Sequence, residues 1–166
     1  MRQFKNGEEY YNRIYLIFNA LIAISLLPFS FILLEIQDKG LEFAIIKGNL
    51  AYSIMAISVL AISFFTFKSF EQLKTLQGSL ITESTLRKKL NIYYSCYLRH
   101  YLILNSFCVT VTIVLYLTKS NIMVVFYVFL LVLLSIHRPT LKRIIEQLKL
   151  SAEDQDILYQ KQDIAK

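Results

Sequence analysis

The chain has 166 residues, 55% hydrophobic and 18% charged, with 18 Lys and Arg against 12 Asp and Glu. With only four Gly, two Pro and two Cys, this composition excludes intrinsic disorder, collagen-like repeats and a disulfide-stapled secreted scaffold. The length allows one domain, and the charges cluster so that the stretches between them are apolar enough to face hydrocarbon.

Residues 14–34 form a run of 21 without a charge, and residues 48–67 a second of 20. Residues 101–117 and 121–136 add runs of 17 and 16. A hydrocarbon core about 30 Å thick takes roughly 20 helical residues, with about 17 as the lower end. The first two spans meet this, whereas the last two need snorkelling flanks or local thinning of the bilayer. Twelve Leu, Ile, Val or Phe residues between Ile122 and Ile136 favour insertion of the fourth by about 4–7 kcal/mol as an upper figure. Four such runs would leave a soluble core almost without polar chain to cover it. The expected fold is an all-α integral membrane four-helix bundle. The first run is too long for a cleaved signal peptide and has no small-x-small site before Glu35, so it reads as a signal-anchor.

Four spans place the N-terminus, residues 68–100 and the tail 138–166 on one side. That side carries fifteen Lys and Arg, against Lys39, Lys47 and Lys119 on the other. Cytoplasmic loops carry such an excess, so the expectation is a multi-pass protein of the cell (inner) membrane with both termini cytoplasmic. Tyr10, Tyr11, Tyr15, Tyr52, Tyr93, Tyr94, Tyr97, Tyr101 and Tyr116 lie near span ends, as an interfacial tyrosine belt would. The basic surplus serves orientation, and nucleic acid is not an expected partner because no glycine-rich or zinc-finger motif accompanies it.

Between lipid tails, helices associate through small residues and interhelical hydrogen bonds. Asn49, Ser53, Ala56, Leu60 and Ser63 form such a seam on the second span, and Asn19, Ala23, Leu26 and Ser30 one on the first. Asn105, Ser106, Cys108, Thr110 and Thr112 make the third span the most polar. The third and fourth spans, separated by Thr118, Lys119 and Ser120, form a tight antiparallel hairpin. Its register sets Thr110 opposite Tyr127, giving that deep phenol a hydrogen-bond partner. It also brings His100 level with His137 and Arg99 level with Arg138.

Phe67, Phe70, Leu73 and Leu76 extend the second span to Gly78, a C-terminal stop signal. Leu86, Leu90, Tyr93 and Tyr97 lead into the third span, so residues 68–100 read as a short helical hairpin with Gly78 near its tip. Pro139 ends the fourth span by pushing Arg138 out of helical geometry. Leu141, Ile144, Ile145 and Leu148 then make an amphipathic helix suited to an anionic inner leaflet. Arg99, Arg138, Lys142 and Arg143 are the candidate headgroup contacts. Ser151 caps a last helix with Glu153, Asp154 and Asp156 in its first turn. The loop 35–47 carries Leu41, Ile45 and Ile46 toward the interface.

His100 and His137 are the pair a metal or bis-histidine haem reading would use. They lie at the water boundary beside Arg and fall short of the four ligands of a closed zinc site. Lipid-headgroup anchoring is therefore preferred for them and no cofactor is expected. Cys96 and Cys108 are twelve residues apart, about 18 Å along a helix, and read as unpaired structural thiols. No ionisable group of the kind that couples transport lies inside any span, and Glu35 at the outer end of the first span reads as solvated. No GxSxG, P-loop, HExxH or aspartate-rich motif is present, so an enzyme is not expected.

The tail His137-Arg138-Pro139-Thr140 followed by residues 141–158 resembles tails of small bacterial membrane proteins, a resemblance that implies no activity. The leading expectation is a non-catalytic accessory, scaffold or assembly subunit that binds a larger membrane complex or its own copies. One alternative is an oligomeric small-molecule transporter or pore lined by the third span. Another is a bacteriocin-immunity-type protein, a class with the same size and topology.

Overall fold

The computed structural model describes residues 4, 6–39, 44–80, 85–159 and 164. Their architecture is all-helical, in the order α1 (Gly7–Lys39), α2 (Gly48–Leu80), α3 (Leu86–Thr118), α4 (Asn121–Ile136), α5 (Leu141–Leu148) and α6 (Ala152–Tyr159). Three helices, α1 to α3, are long and apolar enough to cross a membrane, and α4 makes a fourth span when counted together with α5 across residues 137–140.

Local chemistry sets the helix ends. Asn6 Oδ1 accepts the Glu9 amide at 2.9 Å ahead of α1, whose first turn places Glu8 and Glu9 at the positive end of the helix dipole. Ser120, Thr140 and Ser151 each accept an amide at 3.3 Å, from Ile122, Arg143 and Asp154 respectively. Lys119 and Lys149 follow α3 and α5 with φ of 50° and 46°, a left-handed conformation that costs a side-chain-bearing residue about 1–2 kcal/mol. The helix-closing bonds Lys119 N to Leu115 O (2.7 Å) and Leu150 N to Ile145 O (3.3 Å) offset part of that cost. Pro28 lies within α1 without breaking it, as hydrocarbon-spanning helices tolerate. The expected stop at Gly78 is corrected, since α2 continues to Leu80.

The chain divides into two compact units. One gathers Met1–Asn19, Phe70–His100 and Arg138–Lys166, and the other Ala20–Ser69 and Tyr101–His137. Residues 68–100, expected as a short helical hairpin, contribute mostly to a unit that also holds the start of α1 and all of α5 and α6. Its core is built from Tyr10, Leu90, Tyr93, Tyr97, Ile144 and Leu148, all at or near zero exposure. The apolar face of α5 is therefore covered by protein. The expectation that it lies on a lipid surface is corrected, because an apolar stripe specifies burial without specifying what covers it.

Within this unit α6 packs closely on Gly7. A Cβ built there would stand 3.1 Å from Leu158 Cα and 3.2 Å from its carbonyl oxygen, both backbone atoms that a rotamer change cannot move aside. Gly7→Ala is expected to destabilise the unit by about 1 kcal/mol, the low end of overpacking costs. Faster protease cleavage of residues 149–159 would report it, and unchanged cleavage would exclude the close approach.

In the second unit the inward faces are Ser25, Phe29, Ile32 and Ile36 of α1; Ala51, Met55, Ile62 and Thr66 of α2; and Met123, Tyr127, Leu130 and Leu134 of α4. From α3 come Leu104, Asn105, Cys108, Val111, Thr112 and Leu115. The most apolar windows of α1 and α2 are each 22% buried, against 50% for α3. That contrast leaves two long helices with most of their side chains facing outward.

Candidate functional site

Asn105 and Tyr127 are buried in the second unit, whereas Asn19, Asn49, Ser53, Ser63 and Thr110 are exposed, as is Ala56. Within one chain these six do not form the interhelical seams expected of them, and two of their hydroxyls need none. Ser53 Oγ donates to Asn49 O at 3.0 Å and Thr110 Oγ1 to Ser106 O at 2.9 Å, each four residues back on its own helix. The expected Thr110–Tyr127 pairing is likewise corrected. Tyr127 instead stacks on Phe29, ring centroids 3.7 Å apart and planes 7° from parallel. Its hydroxyl makes no hydrogen bond among the described residues, and neighbouring Ser25 donates to Ile22 O at 3.0 Å. Asn105 Oδ1 is buried and accepts no hydrogen bond among the described residues either.

The expectation that Glu35 is solvated is corrected. It is a quarter exposed and lies 3.5 Å from Lys119 Nζ, whose side chain is 4% exposed. The same ammonium stands 4.4 Å from the Tyr116 ring centroid. Beside it, Leu117 O accepts the Ile45 and Ile46 amides, both at 3.0 Å. The turn between α3 and α4 is thus tied to α1 by a charge pair and to the segment before α2 by backbone bonds. Ile45 points outward and Ile46 is half-buried, while Leu41 lies outside the described residues.

The first unit holds a polar network at its centre. Tyr93 Oη donates to Gln147 Oε1 at 2.8 Å, and Tyr97 Oη donates to the same oxygen. The two rings stack at 4.2 Å. Tyr10 Oη donates to Leu90 O at 3.1 Å, with its ring edge-on to Phe4 at 5.0 Å. Arg87 Nη2 donates to Phe4 O at 3.3 Å and Ile164 O at 3.4 Å, so one guanidinium clasps residues from both ends of the chain. Tyr10, Tyr93, Tyr94, Tyr97 and Tyr101 are buried, unlike the exposed Tyr52 and Tyr116. The expected interfacial belt is therefore corrected for these five, whose phenols serve a protein interior. Gln147 is absent from the residues singled out by sequence, although a Gln between Ile144 and Leu148 is a visible signal.

His100 and His137 belong to different units. His100 is buried edge-on to Phe70, ring centroids 4.7 Å apart. His137 ends α4, its Nδ1 at 2.8 Å from Leu133 O and its carbonyl accepting from Tyr101 Oη. Among the described residues no group of three His, Cys, Asp or Glu is arranged to hold a metal. Of the candidate headgroup contacts, Arg99 and Lys142 are exposed and Arg143 is half-buried. Arg138 is exposed and stands 4.9 Å from the Tyr15 ring centroid. Cys96 and Cys108 are both free thiols, half-buried and buried.

A groove of about 270 Å³ opens between α2 and α4, lined by residues that include Ile62, Thr66, Phe67, Phe126, Phe129 and Leu133. No protein-family model, curated protein or solved structure matches the chain.

Proposed function

We propose that this chain is a non-catalytic assembly subunit of a membrane complex, multi-pass in the cell membrane with both termini cytoplasmic. The outward-facing stripe Asn49, Ser53, Ala56 and Ser63 carries this reading. Lipid tails give no hydrophobic drive for helix association, so small and hydroxyl-bearing residues facing out are the surface on which another helix packs closely. The low burial of the α1 and α2 windows supports it by leaving both helices free for neighbours. The fifteen basic residues grouped around the termini and the α2–α3 connection support the orientation. Lipid binding through Arg99, Lys142 and Arg143 would complement that topology.

Extraction in mild detergent should recover the chain with a stoichiometric membrane partner, or as a defined oligomer of itself. Ala56→Trp should reduce that recovery at least tenfold, because a bulky ring on the stripe prevents close approach. Val125→Trp, on the exposed side of α4, should leave it unchanged. A monodisperse monomer recovered alone from native membranes would refute the proposal.

A further inference from the structure

Arg138 is the first charge after the fourth apolar run, and Tyr15 is the second residue of the first run. The structure sets these two ends of apolar chain against each other, with the Arg138 guanidinium 4.9 Å from the Tyr15 ring centroid. Tyr11, one turn earlier on the same face of α1, stacks on Tyr15 with centroids 6.0 Å apart and planes 23° from parallel. Both rings are half-buried and Arg138 is exposed. The ring quadrupole holds the cation without giving its N–H groups an oxygen acceptor. Among the described residues Arg138 makes no ion pair and no hydrogen bond. It therefore presents an uncommitted fork of donors, positioned by Tyr15, where apolar chain gives way to charge.

One turn further along this face of α1 is Asn19, exposed and also without a hydrogen bond among the described residues. Four residues carry it about 6 Å beyond Tyr15, into the charge-free run. An amide facing outward at that depth is costly unless something there accepts from it. The order along the face is a cation with two phenols, then a neutral donor, then apolar chain. A glycerophospholipid has the complementary order of anionic phosphate, ester carbonyls and acyl chains. Free phosphate matches the first element alone and has no reason to enter a charge-free run. A headgroup with its own ammonium would call for a carboxylate, and none pairs with Arg138 among the described residues.

We infer that the face of α1 from Tyr11 to Asn19, together with Arg138, is a binding site for one anionic glycerophospholipid. Arg138 takes the phosphate through its N–H fork, Tyr15 keeps the guanidinium in place, and Asn19 Nδ2 donates to an ester carbonyl. The site rests on the membrane insertion proposed above and not on the assembly stripe, so lipid selectivity and partner recovery fail separately.

The full chain in mild detergent, titrated with phosphatidylglycerol or phosphatidylcholine and followed by native mass spectrometry, tests this. It should hold one phosphatidylglycerol about five- to tenfold more tightly than one phosphatidylcholine. Arg138→Gln should abolish the preference. Arg13→Gln removes the same charge two residues from Tyr15, on another side of α1, and should keep the preference to within about twofold. Diester phosphatidylglycerol should also bind about two- to fivefold more tightly than its diether analogue, and Asn19→Leu should bring that ratio to one. Equal binding of the two headgroups by the parent chain would overturn the site. Equal loss from Arg13→Gln and Arg138→Gln would do the same, because it means diffuse attraction to a basic surface. So would equal binding of diester and diether lipid, or displacement of the lipid by inorganic phosphate.

Discussion

Gln147→Leu is expected to destabilise the first unit by about 2–4 kcal/mol and to make α5 and α6 accessible to protease. Gln147 Oε1 is the acceptor for both Tyr93 and Tyr97, and both rings are buried to within 2% of complete. Losing an acceptor from a buried donor costs about 1–3 kcal/mol per group, and the Leu cannot replace either bond. Trypsin cleavage at Lys149, which follows α5 directly, would report release of the tail. Removing the phenolic hydroxyls as well makes the decisive comparison. With Tyr93→Phe and Tyr97→Phe added, the stacked rings remain while the donors disappear, and stability should return to within about 1 kcal/mol of the parent. If the triple variant is no more stable than Gln147→Leu alone, the loss came from packing and the hydrogen bonds contribute little.

That network shows where the sequence is informative and where it is not. Ile144, Ile145 and Leu148 can be read as one buried face because α5 lies in a polar stretch, where apolar spacing distinguishes inside from outside. Spacing does not name the cover, and α5 is met by protein, with Tyr93 and Tyr97 of α3 bonding to its Gln147. Tyrosine has the same ambiguity, since an amphipathic ring suits a bilayer interface and a protein core whose polar atom finds a partner. Only a partner separates the two, and Gln147 is 50 residues and more away from both phenols in sequence.

Within the apolar runs, extent is more legible than facing. Residues 121–136 of the fourth run coincide with α4, and Pro139, Ser120 and Ser151 mark boundaries through capping and proline sterics that do not depend on solvent. Small-residue spacing points to Asn49, Ser53, Ala56 and Ser63 as the inward face of α2, yet the buried positions are Ala51, Met55, Ile62 and Thr66. In water an inward face is apolar and an outward face polar. Against hydrocarbon both are apolar, so periodicity carries little information about which way a spanning helix turns. Small residues are then ambiguous as well, because they mark close approach whether the neighbour belongs to the same chain or another. The contact of Arg138 with Tyr15 is invisible in the sequence for a related reason, since each residue suits an interface by itself and only the fold sets one against the other.

Lys119→Met is expected to cost about 2–3 kcal/mol, measured by thermal unfolding in lipid nanodiscs. Removing one member of a fully buried ion pair costs about 3–5 kcal/mol, and the figure here is lower because Glu35 retains a quarter of its exposure. Met keeps a side chain of similar length and bulk, while the ion pair and the ammonium's contact with the Tyr116 ring are lost together. Two further variants divide the loss. Lys119→Gly forfeits the ion pair but relieves the left-handed backbone at φ 50°, and should be more stable than Lys119→Ala by about 1 kcal/mol. Glu35→Gln combined with Lys119→Met should be less destabilised than the sum of the two single changes, because neither charge then remains to be desolvated alone. Simple additivity would mean that the 3.5 Å separation of Lys119 and Glu35 carries no coupling, and that the backbone bonds from Ile45 and Ile46 to Leu117 hold this end of the second unit together on their own.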